Sequence, residues 1–213
     1  MQNYIFDFDG TLANSGKTGV LATQAAFREL TLPVPQANLL NYYMGIPIEV
    51  SFKKMVPDHN FIDQEFAELL TCFRQYYHKL EAANMTLVKG ILPALQRLSE
   101  QGKQLYVVSS KHSTALLRNL RELKISRYFA DVVGSDQVVH FKPAPDGVLE
   151  VIKLYNLNPH DCVMIGDAIF DLQMGKSAGV HTCGVTWGAH DTVSLLKEHP
   201  DYILATPDDL PTI

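Results

Sequence analysis

The chain has 213 residues, of which 46% are hydrophobic and 19% charged, so it is long and apolar enough to bury a sizeable core. Its formal net charge of −5 argues against nucleic acid or an acidic membrane surface as the main partner. Three widely spaced cysteines argue against a disulfide framework or a zinc site and favour a cytoplasmic location. We see no signal-peptide pattern and no apolar run of transmembrane length, and expect no membrane partner.

The first strand is predicted at residues 4–6, an apolar run of the aromatic and β-branched residues typical of buried strands. Asp7 and Asp9 follow it, and side chains two apart on an extended chain point to the same side. Two acids at the end of a buried strand are costly unless they bind a cation, transfer a proton or act on a phosphoryl group. A functional site is therefore predicted there.

A stretch without predicted strands follows, from residue 14 to about residue 84. Its helices are predicted from apolar spacing, between prolines and glycines, near residues 19–30, 36–42, 47–55 and 62–81. In the last of them, an apolar stripe that includes Phe73 and Tyr77 is interpreted as core packing rather than a cofactor site. We expect this insert, residues 16–84, to form a helical cap domain on a core made of residues 1–15 and 85–213.

Strands and helices alternate after residue 84. The predicted strands are residues 105–108, 132–133, 162–165, 181–185 and 202–204. The predicted helices lie near residues 91–101, 113–123, 142–156, 170–178 and 192–198. Each strand is a short continuous apolar run, which is typical of a parallel sheet covered by helices on both faces. The predicted fold class is therefore α/β, with a Rossmann-like three-layer α/β/α core and an inserted small α-helical cap.

Polar residues follow these strands, and ligands of open parallel sheets bind outside the carboxyl ends of the strands. These residues are Asp7, Asp9, Ser109, Ser110, Lys111, Lys142, Asp167 and Asp171. Four carboxylates without histidine or cysteine suit a hard cation, and Mg²⁺ fits best. The hydroxyls and lysines suit a phosphoryl group, whose oxygens accept hydrogen bonds and attract positive charge. A site for a hard cation, with Mg²⁺ as the best candidate, and for a phosphoryl group is predicted.

Four motifs, in this order along the chain, resemble those of the haloacid dehalogenase-like hydrolases. They are Asp7-Phe8-Asp9-Gly10-Thr11-Leu12, Ser109 after an apolar strand, Lys142 before Pro143, and Gly166-Asp167-Ala168-Ile169-Phe170-Asp171. The resemblance covers the whole chain. The helical insert after the first motif is similar to the cap of the phosphoglycolate phosphatase and β-phosphoglucomutase branch.

The resemblance implies roles for four catalytic residues. Asp7 is expected to be the nucleophile that forms an aspartyl-phosphate. Asp9 is expected to protonate the leaving oxygen and then to deprotonate the hydrolytic water. Ser109 is expected to bind the transferring phosphoryl group, and Lys142 to offset the charge of the phosphoryl group and of Asp7.

The resemblance also implies which residues bind the metal and which bind the substrate. The expected metal ligands for Mg²⁺ are Asp7, Asp9 through its backbone carbonyl, Asp167 and Asp171. The expected substrate contacts are Gly10, Ser109, Ser110 and Lys142. Specificity is expected to lie in the cap, where the candidate contacts are Lys17, the turn at residues 45–47, and Lys53 or Lys54.

The predicted function is a Mg²⁺-dependent phosphatase acting on a small phosphorylated metabolite, with phosphoglycolate as the first substrate to test. A phosphomutase of the β-phosphoglucomutase type is the alternative enzyme. A non-catalytic phosphate-binding or regulatory protein of the same fold is the alternative class. A dehalogenase is disfavoured, because Asp9 suits an oxygen leaving group that must be protonated. The expected oligomeric state is a monomer or a homodimer.

Overall fold

The computed structural model describes residues 1–213. Its strands are β1 (Asn3–Phe6), β2 (Ala13–Asn14), β3 (Thr86–Leu87), β4 (Gln104–Val108), β5 (Asp131–Val133), β6 (Cys162–Gly166), β7 (His181–Val185) and β8 (Tyr202–Leu204). Its helices are α1 (Gly16–Glu29), α2 (Ala37–Tyr42), α3 (Ile48–Met55), α4 (Asp63–Asn84), α5 (Ile91–Glu100), α6 (Ser113–Glu122), α7 (Asp146–Tyr155), α8 (Ile169–Ser177) and α9 (Thr192–Lys197). None of these helices combines the length and the apolar composition that crossing a bilayer would require.

Six strands form one parallel sheet in the order β5-β4-β1-β6-β7-β8. β1 lies at its centre, where Tyr4 pairs with Leu105 of β4 on one side and with Val163 of β6 on the other. After β1 the chain forms β4 and β5 on one side of β1, and then crosses to form β6, β7 and β8 on the other side. The strand order therefore reverses next to β1. Ligands of such sheets bind at this kind of reversal, and here the carboxyl ends of β4, β1 and β6 are neighbours.

The central strand contributes to two separate cores, because its side chains alternate between the faces of the sheet. Tyr4 and Phe6 belong to a core with α5 and α6, whereas Ile5 belongs to a core with α7 and α8. Burying one such apolar side chain contributes about 1.5–3 kcal/mol. The sheet is therefore covered by helices on both faces, and the predicted α/β fold with three layers is confirmed.

Helices α1 to α4 have a hydrophobic core of their own. Phe52 lies at its centre, with its ring 5.3 Å from the rings of both Phe27 and Phe73 in edge-to-face contact. An antiparallel ribbon connects this helical unit to the sheet, since Ala13 of β2 pairs with Leu87 of β3. The bounds of α1 and α4 agree with a cap at residues 16–84, and this division into domains stays a prediction.

Two local predictions were wrong. The helix predicted to open at Lys142 begins at Asp146, with Pro145 as its N-cap residue. Proline disfavours helical backbone in the residue before it, so the two prolines delay the helix and leave Lys142 in a loop. The second miss is the β2–β3 ribbon, whose two-residue strands are too short to carry a hydrophobic pattern.

Candidate active site

Three carboxylates meet at the carboxyl ends of β1 and β6. Asp7 follows β1, Asp167 follows β6, and Asp171 lies in the first turn of α8. All three side chains are buried, and one oxygen of each lies within 4.8 Å of the others. The Nζ atom of Lys142 donates to Asp7 Oδ1 at 2.6 Å and to Asp171 Oδ1 at 2.7 Å. We call these four residues the carboxylate cluster.

The carboxylate cluster contains more negative than positive charge. Three carboxylates and one ammonium group have a formal charge of −2, in a place that water scarcely reaches. Burial, together with the charges of Asp171 and Asp167, raises the pKa of Asp7 well above its usual range in spite of Lys142. Burial and the Asp171 charge raise the pKa of Asp167 to about 6. This donor set of buried oxygens with excess negative charge fits a divalent hard cation.

Close backbone approach holds Asp167 in place. Its carboxylate accepts hydrogen bonds from Thr11 Oγ1 at 2.7 Å and from the Ala189 N–H at 2.6 Å. A Cβ atom on Gly10, whose φ is +90°, or on Gly188 would lie 2.2 Å from Asp167 Oδ2. Glycine at position 10 therefore makes room for Asp167. Because the Gly10 N–H already donates to a backbone carbonyl, the expected contact between Gly10 and substrate stays a prediction.

Asp9 lies beside the carboxylate cluster and has partners that the sequence did not suggest. Its Oδ1 atom accepts a hydrogen bond from Lys111 Nζ at 2.9 Å, and the Tyr77 hydroxyl lies 3.4 Å from the same oxygen. Lys111 was placed near the site by its position after β4, as a residue that would suit a phosphoryl group, and its contact with Asp9 was not predicted. Tyr77 was predicted to be core, and its ring does pack against buried side chains, while its hydroxyl faces Asp9.

The two serines after β4 have different partners. Ser109 is buried, and its Oγ atom accepts a hydrogen bond from the Lys111 N–H at 3.2 Å. The Ser110 hydroxyl donates to the Gly45 carbonyl oxygen of the helical unit at 2.6 Å. The N–H groups of Phe8, which is buried, and of Asp9 and Ser110, which are partly exposed, donate no hydrogen bond within the chain. These donors lie next to Asp7 and Ser109 in the chain and suit an anion.

A cavity of about 760 Å³ separates the helical unit from the sheet, a volume within the usual range of about 300–1,000 Å³ for small-molecule sites. Asp7, Asp9 and Ser109 line it from the sheet side. The apolar residues that line it from the helical side include Leu40, Tyr43, Ile46, Phe52, Met55 and Phe73. The turn at residues 45–47 also lines it, as proposed for the cap contacts. Lys17, Lys53 and Lys54 are exposed and lie outside it.

Comparison with known proteins decides the family. A family model described as haloacid dehalogenase-like hydrolase matches residues 4–185. The chain belongs to the haloacid dehalogenase-like hydrolases. The predicted family is therefore confirmed by a match that contains the four sequence motifs and the helical insert between the first two of them.

Relatives within the family are similar to this chain over almost its whole length. A phosphoglycolate phosphatase of Aquifex aeolicus is 30% identical over 210 residues, covering 99% of this chain and 95% of the relative. The pyrophosphatase PpaX of Listeria welshimeri is 29% identical over 209 residues, covering 97% and 93%. The predicted class of enzyme, a phosphatase of this family, is confirmed by these matches.

A solved structure from Haemophilus somnus, described as a predicted phosphoglycolate phosphatase, superposes with a TM-score of 0.91. It covers 100% of this chain and 97% of that one, at 24% sequence identity. At this identity the likeness shows the fold, including the helical unit, and says nothing about the substrate.

Proposed function

We propose that this enzyme is a Mg²⁺-dependent phosphatase that hydrolyses a small phosphorylated metabolite through an aspartyl-phosphate on Asp7. The observation that carries the proposal is the carboxylate cluster, whose buried Asp7 faces the same cavity as Asp9. Structural roles alone would not favour three buried carboxylates with a single lysine, because uncompensated buried charge is costly.

The metal would be held by the carboxylates of Asp7, Asp167 and Asp171 and by the backbone carbonyl of Asp9. When bound, Mg²⁺ would supply positive charge to the cluster and to the phosphoryl oxygens. The fit rests on the donor set, since all the candidate ligand atoms are oxygens.

In the first step, an oxygen of Asp7 attacks phosphorus and the bond to the leaving oxygen breaks. Lys142 binds Asp7 Oδ1, and Oδ2 accepts no hydrogen bond, so Oδ2 is the oxygen free to attack. Asp9 gives its proton to the leaving oxygen as that bond breaks. The products are the protonated leaving group, which is an alcohol for an alkyl phosphate, and a phosphoryl group bound to Asp7.

In the second step, Asp9 takes a proton from a water molecule, whose oxygen attacks phosphorus. The bond between phosphorus and Asp7 breaks, which releases inorganic phosphate and restores the carboxylate. The Ser109 hydroxyl and the unpaired N–H groups of Phe8, Asp9 and Ser110 would stabilise the negative charge on the phosphoryl oxygens in both steps.

The choice of substrate is supported by the cavity and by the relatives. The Aquifex relative is called a phosphoglycolate phosphatase and the Listeria relative a pyrophosphatase. Phosphoglycolate and pyrophosphate are therefore the first two substrates to test. A cavity of about 760 Å³ with an apolar cap side also admits larger organic phosphates, so the panel should include sugar phosphates.

The test is release of inorganic phosphate from p-nitrophenyl phosphate and from the panel, with and without Mg²⁺. We expect activity that needs the metal and that is lost in Asp7→Asn. Absence of activity above this control, under several divalent ions, would refute the proposal. Conversion of one hexose phosphate isomer to another, faster than hydrolysis, would favour the phosphomutase. Calorimetric binding of these phosphates without turnover would favour the non-catalytic alternative.

A further inference from the structure

The carboxylate of Asp9 is held at only one of its two oxygens. Lys111 and Tyr77 both contact Oδ1, whereas Oδ2 accepts no hydrogen bond. Asp9 lines the cavity and its side chain is 21% exposed, so the residue can be reached from the cavity. A group that gives and takes a proton needs a free oxygen within reach of the reacting atom, and fixing the other oxygen would orient it.

Lys111 is confined to its position more strongly than an ordinary surface lysine. Its side chain is 10% exposed, and Nζ donates to Asp9 Oδ1 at 2.9 Å, to the Tyr77 hydroxyl at 2.9 Å and to Asn119 Oδ1 at 3.1 Å. Three acceptors match the three hydrogens of an ammonium group. Burial alone would lower the pKa of Lys111, but Asp9 and Tyr77 outweigh burial and raise it, so the residue stays charged.

Tyr77 brings a residue of helix α4 into this arrangement. Burial and the Asp9 charge raise the pKa of Tyr77, so its hydroxyl stays protonated. It accepts a hydrogen bond from Lys111 and directs its own hydrogen towards Asp9. At 3.4 Å the contact with Asp9 is long, and we expect Tyr77 to contribute less than Lys111.

A second link to α4 runs through Asn119. Its amide oxygen accepts from Lys111, and its amide nitrogen donates to Glu81 Oε2 at 2.8 Å. Glu81 is 2% exposed and also accepts two hydrogen bonds from Arg118. The position of Lys111 is thus tied to α4 both through Tyr77 and through Glu81.

We propose that Lys111 is a positioning residue that holds Asp9 by Oδ1 and leaves Oδ2 free for proton transfer, with Tyr77 and Asn119 fixing the lysine. This inference rests on the proposed function and deepens it. If Lys111 holds Asp9 in this way, the orientation of the Asp9 carboxylate depends on the position of α4, because Tyr77 and Glu81 both belong to that helix. No motif residue expected from the resemblance has this role.

The test compares two leaving groups in the full chain. An alkyl phosphate such as phosphoglycolate needs a proton on its leaving oxygen, whereas p-nitrophenolate leaves without one. We expect Lys111→Met to lower kcat for the alkyl phosphate by about 10²-fold and for p-nitrophenyl phosphate by only about threefold, with little change in KM. Lys111→Arg keeps the charge and should recover part of the loss. Tyr77→Phe should show the same pattern with a smaller loss.

Matched controls separate this role from general loss of charge or packing. Lys153→Met removes an exposed lysine of α7, and Tyr76→Phe removes a hydroxyl one residue away that contacts Glu29 instead. Neither should change the ratio of the two rates. In an Asp9→Asn background, Lys111→Met should cause no further loss with the alkyl phosphate. Equal losses for both leaving groups, or additive losses with Asp9→Asn, would overturn the inference.

A measurement without turnover distinguishes this inference from the proposed function. A wild-type chain that hydrolyses no phosphate would refute the proposed function. Urea unfolding of Asp9→Asn, Lys111→Met and the double variant would still decide whether the two residues are coupled. Coupling appears as a double-variant midpoint shift smaller than the sum of the single shifts. Fully additive shifts would overturn the proposed positioning role.

Discussion

One molecule contains a cluster of three buried carboxylates and, elsewhere, the single buried carboxylate of Glu81, and the two sites differ in how their charge is balanced. In the carboxylate cluster, Asp7 and Asp167 have a raised pKa because burial exceeds what one lysine offsets. We call Glu81, His78, Arg118 and Asn119 the Glu81 cluster. Burial alone would raise the pKa of Glu81, but hydrogen bonds from Arg118, Asn119 and His78 outweigh burial and lower it.

The comparison shows that burial of an acid does not by itself mark a functional site. Glu81 accepts four hydrogen bonds within the chain, two of them from the fork of Arg118, and needs no further partner. The carboxylate cluster has more negative than positive charge within the chain, so a bound cation is needed to balance it. Charge left unbalanced is the signal for a site, and charge fully balanced is the signal for structure.

The largest expected effect that tests this distinction is that of Asp7→Asn. We expect phosphate release to fall by more than about 10³-fold, because the nucleophile is lost. Without metal, the free energy of unfolding should nevertheless rise by about 1 kcal/mol, since a poorly balanced buried charge has been removed. Urea unfolding in EDTA measures it. A variant that is both inactive and clearly destabilised would contradict our account of the carboxylate cluster.

The next largest effect is that of Mg²⁺ on stability. Protons and metal compete for the same carboxylates, so Mg²⁺ should stabilise more at pH 7.5 than at pH 5.5, on either side of the Asp167 pKa of about 6. At about 100 times its Kd, we expect Tm to rise by about 5–10 °C at the higher pH.

Differential scanning calorimetry of wild type and of Asp167→Asn measures this shift. The variant should lose most of it, because a predicted ligand has gone. A rise in Tm that is the same at both pH values, or that survives in the variant, would place the metal elsewhere.

At the Glu81 cluster we expect a smaller effect, and here removal of the acid should destabilise the fold. Glu81→Gln should lower the free energy of unfolding by about 2 kcal/mol at pH 7, because a charged acceptor is lost and buried donors are left weakly paired. The folded pKa of Glu81 is depressed below its ordinary 4.5, so its contribution is complete above that pH and is lost as the pH falls through the folded value.

Urea unfolding of wild type and of Glu81→Gln at pH 7 and at pH 3 measures this contribution. The difference between wild type and Glu81→Gln should shrink at the lower pH. Glu100→Gln, a change at an exposed position at the end of α5, is the matched control and should cost little at either pH. A loss that grows at low pH would show that Glu81 is not held as a balanced carboxylate.

Residues of the carboxylate cluster could be predicted from the sequence because strand ends of a parallel sheet converge. Asp7 and Asp167 each follow a buried apolar strand, so topology alone brings them together. Lys142 was a candidate from its place in the loop after residue 139, and its role was predicted only through its motif. The position of its Nζ atom between two carboxylates is set by tertiary structure.

The partners of Asp9 could not be predicted in the same way. Tyr77 lies on an apolar helical stripe, and that spacing correctly indicates a packed ring but does not say where the hydroxyl points. Lys111 and Asp9 follow the neighbouring strands β4 and β1, so topology brings the two residues close. Which oxygen the Lys111 ammonium group reaches depends on Tyr77 of α4 and Asn119 of α6, which no local pattern encodes. The same is true of Glu81, which looks like an ordinary polar helix residue until Arg118 and Asn119 are placed around it.

The smallest effect is expected at the two serines after β4. Like the acids, one of them is fully paired within the chain and the other is not. The hydroxyl hydrogen of Ser110 is already donated to the Gly45 carbonyl, whereas Ser109 Oγ only accepts within the chain and can donate to a ligand. We expect Ser109→Ala to raise KM or lower kcat by about tenfold, the equivalent of one hydrogen bond to a charged group. Ser110→Ala should change either constant by about twofold, because its contact with Gly45 of the helical unit is lost. Steady-state kinetics with p-nitrophenyl phosphate measures both. A larger loss at Ser110 than at Ser109 would mean that Ser110 exchanges Gly45 for substrate, which would support the direct substrate contact expected from the sequence.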